Sequence, residues 1–430
     1  MKSIPRAGND GYLNLYFQVH QPRRLRQFGF FDIGTGASFF NEEMNRKIMR
    51  RVAANCYEPA NQMLLELIRQ FPRTRLTFSI SGVALEQLEK FAPEVIESFR
   101  KLAATGSVEF LGETYFHSLA CLNDADEFVR QVNRHRHAME DVLGVIPTVF
   151  RNTELIYFDR VGSLVRELGF QGIYADGIEK ILQHKSPDHL YEHIDGNGLK
   201  LFLRNYSLSD DIAFRFSNKD WKEWPLNAEK YTRWLREKCF GNRLVNLGMD
   251  YETFGEHQKA DAGILQFLKK VVTAVVKSKT IQMVTPSEAI SVLKSKDRIS
   301  VPTPISWADK ERDLSAWLGN DLQKDAFDNM NSLGRKIAGI GDGPLASSWE
   351  HLQTSDHFYY MSTKNGDDGH IHNYFSPYAS PYEAFINYMN ILSDISLRLK
   401  NRKKVTSVQR DAEVKNIKQR SLLAAKEISC

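Results

Sequence analysis

The chain has 430 residues, of which 42% are hydrophobic and 26% are charged, and its formal net charge is +4. This length allows one large domain and a smaller one, and the apolar content is enough to bury a sizeable core. The small net charge excludes a protein whose overall field draws it to nucleic acid or to an acidic membrane.

The cysteines and the N-terminus indicate the compartment. Cys56, Cys121, Cys239 and Cys430 are far apart and form no CxxC pair, which argues against a disulfide framework or a thiolate zinc site. Residues 1–10 are polar and lack the apolar run of a secretory signal, and no apolar stretch reaches the roughly 18 residues that span a bilayer. We therefore expect a reduced, cytoplasmic protein.

Strand-length apolar runs alternate with helical patterns from residue 12 to residue 286. Eight runs predict buried strands. In chain order they cover residues 12–19, 75–81, 107–112, 148–152, 172–176, 200–205, 243–249 and 281–286. This repetition of strand and helix predicts an α/β fold, either a parallel barrel or a doubly wound sheet, and the spacing alone does not separate the two.

A long helix is predicted between the third and fourth strands, over residues 124–144. Asp124 is its expected N-cap, and apolar residues recur at spacings of three and four. His135 and His137 form an HxH pair in this helix. Side chains two positions apart on a helix point in different directions, which argues against a shared metal site.

The pattern changes near residue 300, where "VPTPISW" interrupts regular structure. Helical apolar spacing returns over residues 321–337, 348–362 and 380–400. We therefore divide the chain into a barrel-type unit over residues 1–295, a mostly helical region over residues 296–400, and a basic helical or frayed tail over residues 401–430.

Polar residues cluster directly after the predicted strands. The carboxyl ends of parallel strands form the active face of α/β barrels and open sheets, so these side chains should meet at one rim. Each of them by itself could be a cap or turn residue. The set comprises His20, Glu113, His117, Glu154, Asp176, Asp250 and Glu252.

Several carboxylates in one cleft are typical of glycoside hydrolysis, in which one carboxylate is ionised and a second carries a proton. Other chemistries lack their motifs, since GxSxG, GxxxxGK[ST] and a credible GxGxxG after a strand are all missing from the sequence. "GTGAS" at residues 34–38 is too short for a dinucleotide fingerprint and is expected to be a loop. We also see no dedicated calcium loop.

Four ordered stretches resemble the motif regions of glycoside hydrolase family 57, a retaining, α-glucan-active family. They are "HQP" (residues 20–22), "VEFLGETYFHSL" (108–119), "FRNTELIY" (150–157) and "MDYETFGEHQ" (249–258). "SWADKERDLSAWLGN" (306–320) resembles the α-amylase branch of the family. The resemblance implies an irregular (β/α)7 barrel followed by a mostly helical C-terminal region that contributes to the substrate cleft. One of the eight predicted strands, 200–205 or 281–286, would then lie outside the barrel.

The resemblance also implies the catalytic residues. Glu154 would be the nucleophile and Asp250 the general acid/base in a double displacement at an α-1,4-glucosidic bond, with neither a metal nor another cofactor. Because Asp250 must carry a proton, we expect the neighbouring charges of Glu252 and Glu256 to raise its pKa. Alternation along an extended segment would place Asp250 and Glu252 on one side.

The expected substrate is an α-glucan such as glycogen, starch or a maltooligosaccharide, with no nucleic-acid or membrane partner and an oligomeric state that the sequence leaves open. Two alternatives keep the same scaffold: a 4-α-glucanotransferase or branching enzyme with the same carboxylates, and a non-catalytic glucan-binding protein. A metal-dependent polysaccharide deacetylase is more remote. Candidate substrate-binding residues are His20, Glu113, His117, Glu252, Trp307 and Trp221, with Trp224 and Trp317 as further aromatic candidates.

Overall fold

The computed structural model describes residues 11–337, 343–364 and 376–402. It confirms all eight predicted strands to within a few residues at their ends. In chain order the strands are β1 (Gly11–Val19), β2 (Leu76–Ile80), β3 (Val108–Leu111), β4 (Val149–Arg151), β5 (Gly172–Asp176), β6 (Leu190–His193), β7 (Lys200–Arg204), β8 (Leu244–Asp250), β9 (Phe254–Gly255), β10 (Gln258–Lys259), β11 (Ile281–Met283) and β12 (Arg298–Ile299).

Seven of these strands close into a parallel barrel in the order β1, β2, β3, β4, β5, β7, β8. At two places in the barrel, neighbouring strands share only a few hydrogen bonds. Between β3 and β4, the Gly112 amide donates to the Val149 carbonyl (2.9 Å) and the Arg151 amide donates to the Gly112 carbonyl (2.8 Å). Between β7 and β8, the pairing is confined to Arg204 and Asn246. The predicted irregular (β/α)7 barrel is therefore confirmed.

Of the eight predicted strands, the one outside the barrel is β11. It pairs with the first three residues of β1, below the point where β2 joins the same edge. β7 is one of the barrel strands. Of the two segments predicted as the strand outside the barrel, 281–286 is therefore the correct one. Sequence analysis missed β6, a short strand that adds antiparallel to β7 and carries β12 on its other side.

β1 shows how alternation builds the interior of the barrel. Leu13, Leu15 and Phe17 pack outward against the surrounding helices. Tyr16 and Gln18 point the other way, because successive side chains of a strand face opposite sides. Tyr16 lies inside the barrel with other aromatic and aliphatic side chains, and Gln18 lines the cavity above it. The strand therefore joins the outer core to the polar face of the barrel.

Helices surround the barrel and continue beyond it. Where they pack, apolar residues recur every three or four positions, as Phe267, Val271 and Val275 do in α10, because that spacing forms one face of a helix. The helices are α1 (Glu42–Val52), α2 (Glu58–Gln70), α3 (Gly82–Phe91), α4 (Pro93–Ala104), α5 (Ala125–Leu143), α6 (Asp159–Glu167), α7 (Glu179–Leu182), α8 (Tyr206–Ala213), α9 (Ala228–Cys239), α10 (Ile264–Lys277), α11 (Pro286–Val292), α12 (Ser315–Leu318), α13 (Asp321–Ile337), α14 (Pro344–Leu352), α15 (Ser355–Tyr359) and α16 (381–402).

The predicted helix after β3 is α5. The Asp124 side chain accepts a hydrogen bond from the backbone amide three residues on, at 3.0 Å, as an N-cap should. His135 is buried and its Nε2 bonds the Ile80 carbonyl at 2.8 Å, whereas His137 bonds the carbonyl of Asn133 near the surface. The two histidines thus face different surroundings.

The C-terminal helices share an apolar core with the β4–β7 side of the barrel. α13 and α16 match the predicted helices, but the pattern over residues 348–362 belongs to two helices. The helix is interrupted at Thr354, which forms a β-bridge with Ser118. The Ser355 amide donates to the His117 carbonyl at 3.0 Å. Helix α16 is described to residue 402, and the predicted tail beyond it lies outside the described residues.

The division of the chain near residue 295 stays a prediction. Among the helices described over residues 11–337, 343–364 and 376–402, none is long and apolar enough to span a bilayer.

Candidate active site

A cavity lies at the carboxyl ends of the barrel strands. Its wall combines the segments after β1, β3, β4 and β8 with residues from the C-terminal region. Six of the residues predicted from sequence line it: His20, His117, Glu154, Asp250, Glu252 and Trp307. The structure therefore brings together side chains that are separated by up to 287 positions in the sequence.

Glu154 follows β4 in a strained backbone conformation. It has φ 54° and ψ 26°, and Leu155 also has φ 51°. Two consecutive non-glycine residues in the left-handed region are disfavoured, and such strain is typical of functional sites. The turn is held on both sides, since the Asn152 side chain donates to the Ile156 carbonyl (2.8 Å) and the Trp307 amide donates to the Glu154 carbonyl (3.2 Å).

Both carboxylate oxygens of Glu154 have partners. His117 Nε2 lies 3.1 Å from Oε1, and Trp307 Nε1 donates to Oε2 at 2.6 Å. The residue is 8% exposed, so the surrounding water contributes little to its solvation. Hydrogen bonds from N–H donors favour the ionised carboxylate and fix its orientation in the cavity.

His117 lies between two carboxylates. Its Nδ1 is 3.0 Å from Glu113 Oε2, and its Nε2 bonds Glu154. Burial alone would lower the pKa of His117, but the hydrogen bonds to Glu113 and Glu154 raise it to about 9. Burial would raise the pKa of Glu113, but His117 lowers it to about 2. An imidazolium therefore joins the two carboxylates at neutral pH.

Glu113 does not line the cavity. It lies behind His117 and is fully buried, where its Oε1 accepts hydrogen bonds from Ser79 Oγ (2.8 Å) and Gln18 Nε2 (3.2 Å). The prediction that it contacts a ligand directly is therefore not supported by its position. Its contacts are those of an anchor for the His117 ring.

His20 stacks on His117, with ring centroids 3.9 Å apart and planes 19° apart. Its Nδ1 bonds Ser81 Oγ at 2.7 Å, and its Nε2 bonds Asp356 Oδ2 of α15 at 3.0 Å. Burial, followed by the charge of His117, lowers the pKa of His20. A neutral imidazole thus covers the charged one and ties the first motif to the C-terminal region.

Asp250 is the last residue of β8, and Tyr251–Thr253 form a 3-10 turn. The alternation argument that placed Asp250 and Glu252 on one side is therefore wrong, because the extended segment ends at Asp250. The turn nevertheless brings both residues to the cavity.

Glu252 is 3% exposed, and its Oε1 accepts hydrogen bonds from Tyr57 Oη and, at 3.4 Å, from Gln21 Nε2. Burial, followed by the charge of Asp250, raises the pKa of Glu252 to about 8. The effect that we expected at Asp250 is thus seen at its neighbour. As a pair, Asp250 and Glu252 keep one proton at neutral pH.

Glu256 was expected to act on Asp250, but it contacts the helix side of its loop. Its Oε1 lies 2.9 Å from Arg51 Nη2, and its Oε2 accepts from Asn55 Nδ2 at 3.1 Å. Next to it, Gly255 has φ 132°, and a Cβ there would lie 2.0 Å from the Asn55 carbonyl oxygen. Glu256 and Gly255 therefore fix this loop against a five-residue π-helical segment, Ala53–Tyr57, which also carries the tyrosine that bonds Glu252.

A ring of four charged residues, which sequence analysis did not find as a set, secures the segment with Trp307. Arg204 pairs with Asp176 (3.2 Å) and Asp210 (2.5 Å), and Arg312 pairs with the same two carboxylates at 3.0 Å each. Arg312 also donates to the Trp307 carbonyl at 2.5 Å. The sequence indicated Asp176, because it is a polar residue at a strand end, but no sequence pattern indicated its arginine partners.

The tryptophans differ in whether they reach the cavity. All six lie in the described residues, and Trp307 is the one that lines the cavity. Trp221 packs against Trp234, with ring centroids 6.3 Å apart, on the outer side of the barrel. Trp317 is 1% exposed in the C-terminal core. The structure therefore does not bring Trp221 or Trp317 to the cavity.

The cavity contains a carboxylate bonded by two ring N–H groups, Glu154, and a pair of carboxyl groups, Asp250 and Glu252, that keeps a proton. This arrangement can perform nucleophilic attack and general acid/base catalysis. Among the residues that the structure describes, no group of three or more His, Cys, Asp or Glu side chains is placed to hold a metal ion.

Comparison with known proteins adds independent observations. The family described as glycosyl hydrolase family 57 matches residues 14–302. A Methanocaldococcus jannaschii protein described as "Putative alpha-amylase" is 39% identical over 400 residues, which cover 89% of this chain and 84% of that protein.

Two solved structures have a similar fold. The branching enzyme of Pyrococcus horikoshii has a TM-score of 0.63 at 16% identity, over 85% of this chain and 87% of that one. The 4-α-glucanotransferase of Thermococcus litoralis has a TM-score of 0.61 at 15% identity, over 81% of this chain. The matched part spans 56% of the length of that enzyme.

Proposed function

The chain belongs to glycosyl hydrolase family 57, and we propose that it hydrolyses α-1,4-glucosidic bonds of an α-glucan with retention of anomeric configuration. The observation that carries this proposal is the shared cavity of Glu154, Asp250 and Glu252. Hydrolysis is favoured over transfer by the 39% identical relative whose description is "Putative alpha-amylase".

We assign the nucleophile to Glu154. Its carboxylate attacks the anomeric carbon, the bond to the leaving oxygen breaks, and a glucosyl ester forms on Glu154. The contacts from His117 and Trp307 support this role because they keep the group ionised and limit its rotation. They also stabilise the carboxylate again when water cleaves the ester.

We assign the general acid/base to Asp250. In the first step the proton that Asp250 and Glu252 keep between them passes from Asp250 to the departing oxygen, and in the second step Asp250 takes a proton from the attacking water. Asp250 and Glu252 support this role because together they keep one proton at neutral pH. A retaining mechanism requires Glu154 and Asp250 to lie about 5–5.5 Å apart, a separation too short to place a water between them.

The sugar at the cleavage point would contact His20, His117 and Trp307, which line the cavity beside Glu154. Their ring nitrogens are bonded to Ser81, Asp356, Glu113 and Glu154, so these residues would contact the sugar through ring atoms, as aromatic side chains pack on a pyranose ring. Asp356 and Tyr360 also line the cavity, which supports our proposal that residues 296–400 contribute to the substrate cleft.

We further propose a cytoplasmic location with no nucleic-acid or membrane partner. Cys56, Cys121 and Cys239 are buried free thiols, which suit a reducing compartment. An internal storage polymer such as glycogen would then be the natural substrate.

The proposal is tested by incubation with maltoheptaose and with glycogen, followed by chromatography of the products. We expect shorter oligosaccharides alone from the wild type, loss of turnover in Glu154→Gln and Asp250→Asn, and normal turnover in the surface control Glu43→Gln. Products longer than the substrate would show a transferase. Glucan binding without turnover in the wild type would show a non-catalytic protein.

The stereochemical part has its own test. Proton NMR during hydrolysis should show the α-anomer first, because two displacements at one carbon restore its configuration. Initial formation of the β-anomer would exclude the double displacement and with it the nucleophilic role of Glu154.

A further inference from the structure

Arg151 is a buried cation that the proposed mechanism does not use. It is the last residue of β4 and 0% exposed, and its three guanidinium nitrogens form no hydrogen bond with any residue in the described part of the chain. An isolated buried charge is strongly unfavourable. Its presence at the floor of the active-site cavity therefore requires compensation that is not a conventional ion pair.

The first compensation is an aromatic face. The guanidinium carbon of Arg151 lies 4.7 Å from the centre of the Trp307 ring, within the range of cation–π attraction. Trp307 in turn donates its Nε1–H to Glu154 Oε2 at 2.6 Å. A cation on the ring face draws electron density from the indole and makes its N–H a stronger donor.

The second compensation is the negative charge of a buried carboxylate nearby, Glu113. Arg204 also lies near the Trp307 ring, at 5.3 Å, but its charge is committed to Asp176 and Asp210. Arg151 has no such commitment in the described residues. Its positive charge lowers the pKa of Glu113, the carboxylate that holds the other side of the His117 ring.

The charged and titratable groups around the Trp307–Glu154 contact come from every neighbouring element. They are Tyr16 and His20 of the β1 segment, Glu113 and His117 after β3, Asp176 of β5, Arg204 and Asp210 of the β7 segment, Asp250 and Glu252 after β8, and Arg312 and Asp356 of the C-terminal region. Of the two arginines on the Trp307 ring, Arg151 is nearer, at 4.7 Å against 5.3 Å for Arg204.

We propose that Arg151 is a positioning residue of the active site, which binds the face of Trp307 and thereby keeps the Glu154 carboxylate ionised and oriented toward the substrate. The inference deepens the proposed function, since it concerns the same nucleophile. It assigns a role to the arginine of the "FRNTE" stretch that no ligand contact would reveal.

The test replaces Arg151 with methionine or glutamine, which remove the charge, and with lysine, which keeps it. Trp307 fluorescence is followed against pH without substrate, and the Glu154 transition is identified by its loss in Glu154→Gln and in Trp307→Phe. In the neutral variants we expect this transition to move upward by about one pH unit, because a nearby opposite charge lowers a carboxyl pKa by that order. In Arg151→Lys it should stay near the wild-type position.

Arg136 provides a matched control. Its guanidinium lies 4.7 Å from the Phe170 ring, the same distance, but on α5 away from the cavity. Arg136→Met should leave the transition unchanged. The acidic limb of kcat/KM on maltoheptaose should shift with the fluorescence transition.

If a folded neutral variant keeps the wild-type fluorescence transition, the proposal is wrong. Methionine and glutamine are both used in case one of the two variants fails to fold. Equal shifts in Arg151→Met and Arg136→Met would also overturn it, because they would show a general effect of destabilisation. If the wild type cleaved no α-glucan, the proposed function would fail while the fluorescence result still tested Arg151.

Discussion

The charged bridge of Glu113, His117 and Glu154 makes a quantitative prediction for Glu113→Gln. Glutamine keeps the shape of the side chain and can still accept a hydrogen bond from Ser79, so the change removes mainly the negative charge. His117 then loses one of the two carboxylates that hold its proton. Its pKa should fall from about 9 toward the ordinary value of 6.5.

The magnitude follows from the titration of His117. The difference between 9 and 6.5 corresponds to about 3 kcal/mol of stabilisation, shared between two carboxylates, so the loss of Glu113 should cost about 2 kcal/mol near pH 6. Because the pKa of His117 is raised by folding, this stabilisation is fully present below about pH 6.5 and is lost as the pH rises through about 9. Glu113 contributes to the same bridge above its ordinary pKa, and this part is lost only as the pH falls toward 2.

The assay is urea denaturation of wild type and Glu113→Gln at pH 6 and pH 9.5. The difference in unfolding free energy should be about 2 kcal/mol at pH 6 and should shrink strongly at pH 9.5, where His117 is neutral in the variant and mostly neutral in the wild type. Glu109→Gln is the control: Glu109 accepts hydrogen bonds from Ser287 and has no histidine partner, so its effect should not narrow over this interval. An equal loss at both pH values for Glu113→Gln would refute the charged bridge.

Three further changes test the surroundings of the cavity. Tyr57→Phe removes a hydrogen bond that lowers the pKa of Glu252, so the alkaline limb of kcat/KM against pH should move above 8; a downward shift would contradict the assignment. Gly255→Ala should lower the unfolding free energy by about 3 kcal/mol in thermal denaturation, because φ is 132° and the new Cβ would lie 2.0 Å from a backbone oxygen. The control Gly29→Ala, with φ −82°, should change the unfolding free energy little. Arg312→Gln breaks the salt-bridge ring beside Trp307, so kcat/KM should fall about tenfold and acrylamide should quench tryptophan fluorescence more strongly. Unchanged quenching would show that the ring does not hold Trp307 in place.

The barrel and the position of its active face could be predicted from the sequence because they depend on local patterns. Strand and helix periodicities are written in neighbouring residues, and a parallel barrel necessarily gathers its strand ends at one rim. His20 and Glu154 follow two such strands and Asp250 ends a third, and the structure places all three residues at the cavity. For these residues chain order was sufficient.

Contacts between distant segments decided the remainder. Glu113 lies behind His117 because the loop after β3 turns there, and Trp221 packs against Trp234 on the outer face of the barrel. Tyr57 reaches Glu252 from 195 positions away through a π-helical segment.

Arg151 illustrates the limit of sequence reasoning. Three positions before Glu154, it reads as an ordinary charged residue in a strand, and its burial against Trp307 depends on a segment 156 positions later. Periodicity specifies which face a side chain occupies, whereas its partner and its protonation depend on packing, burial and charge in the folded chain.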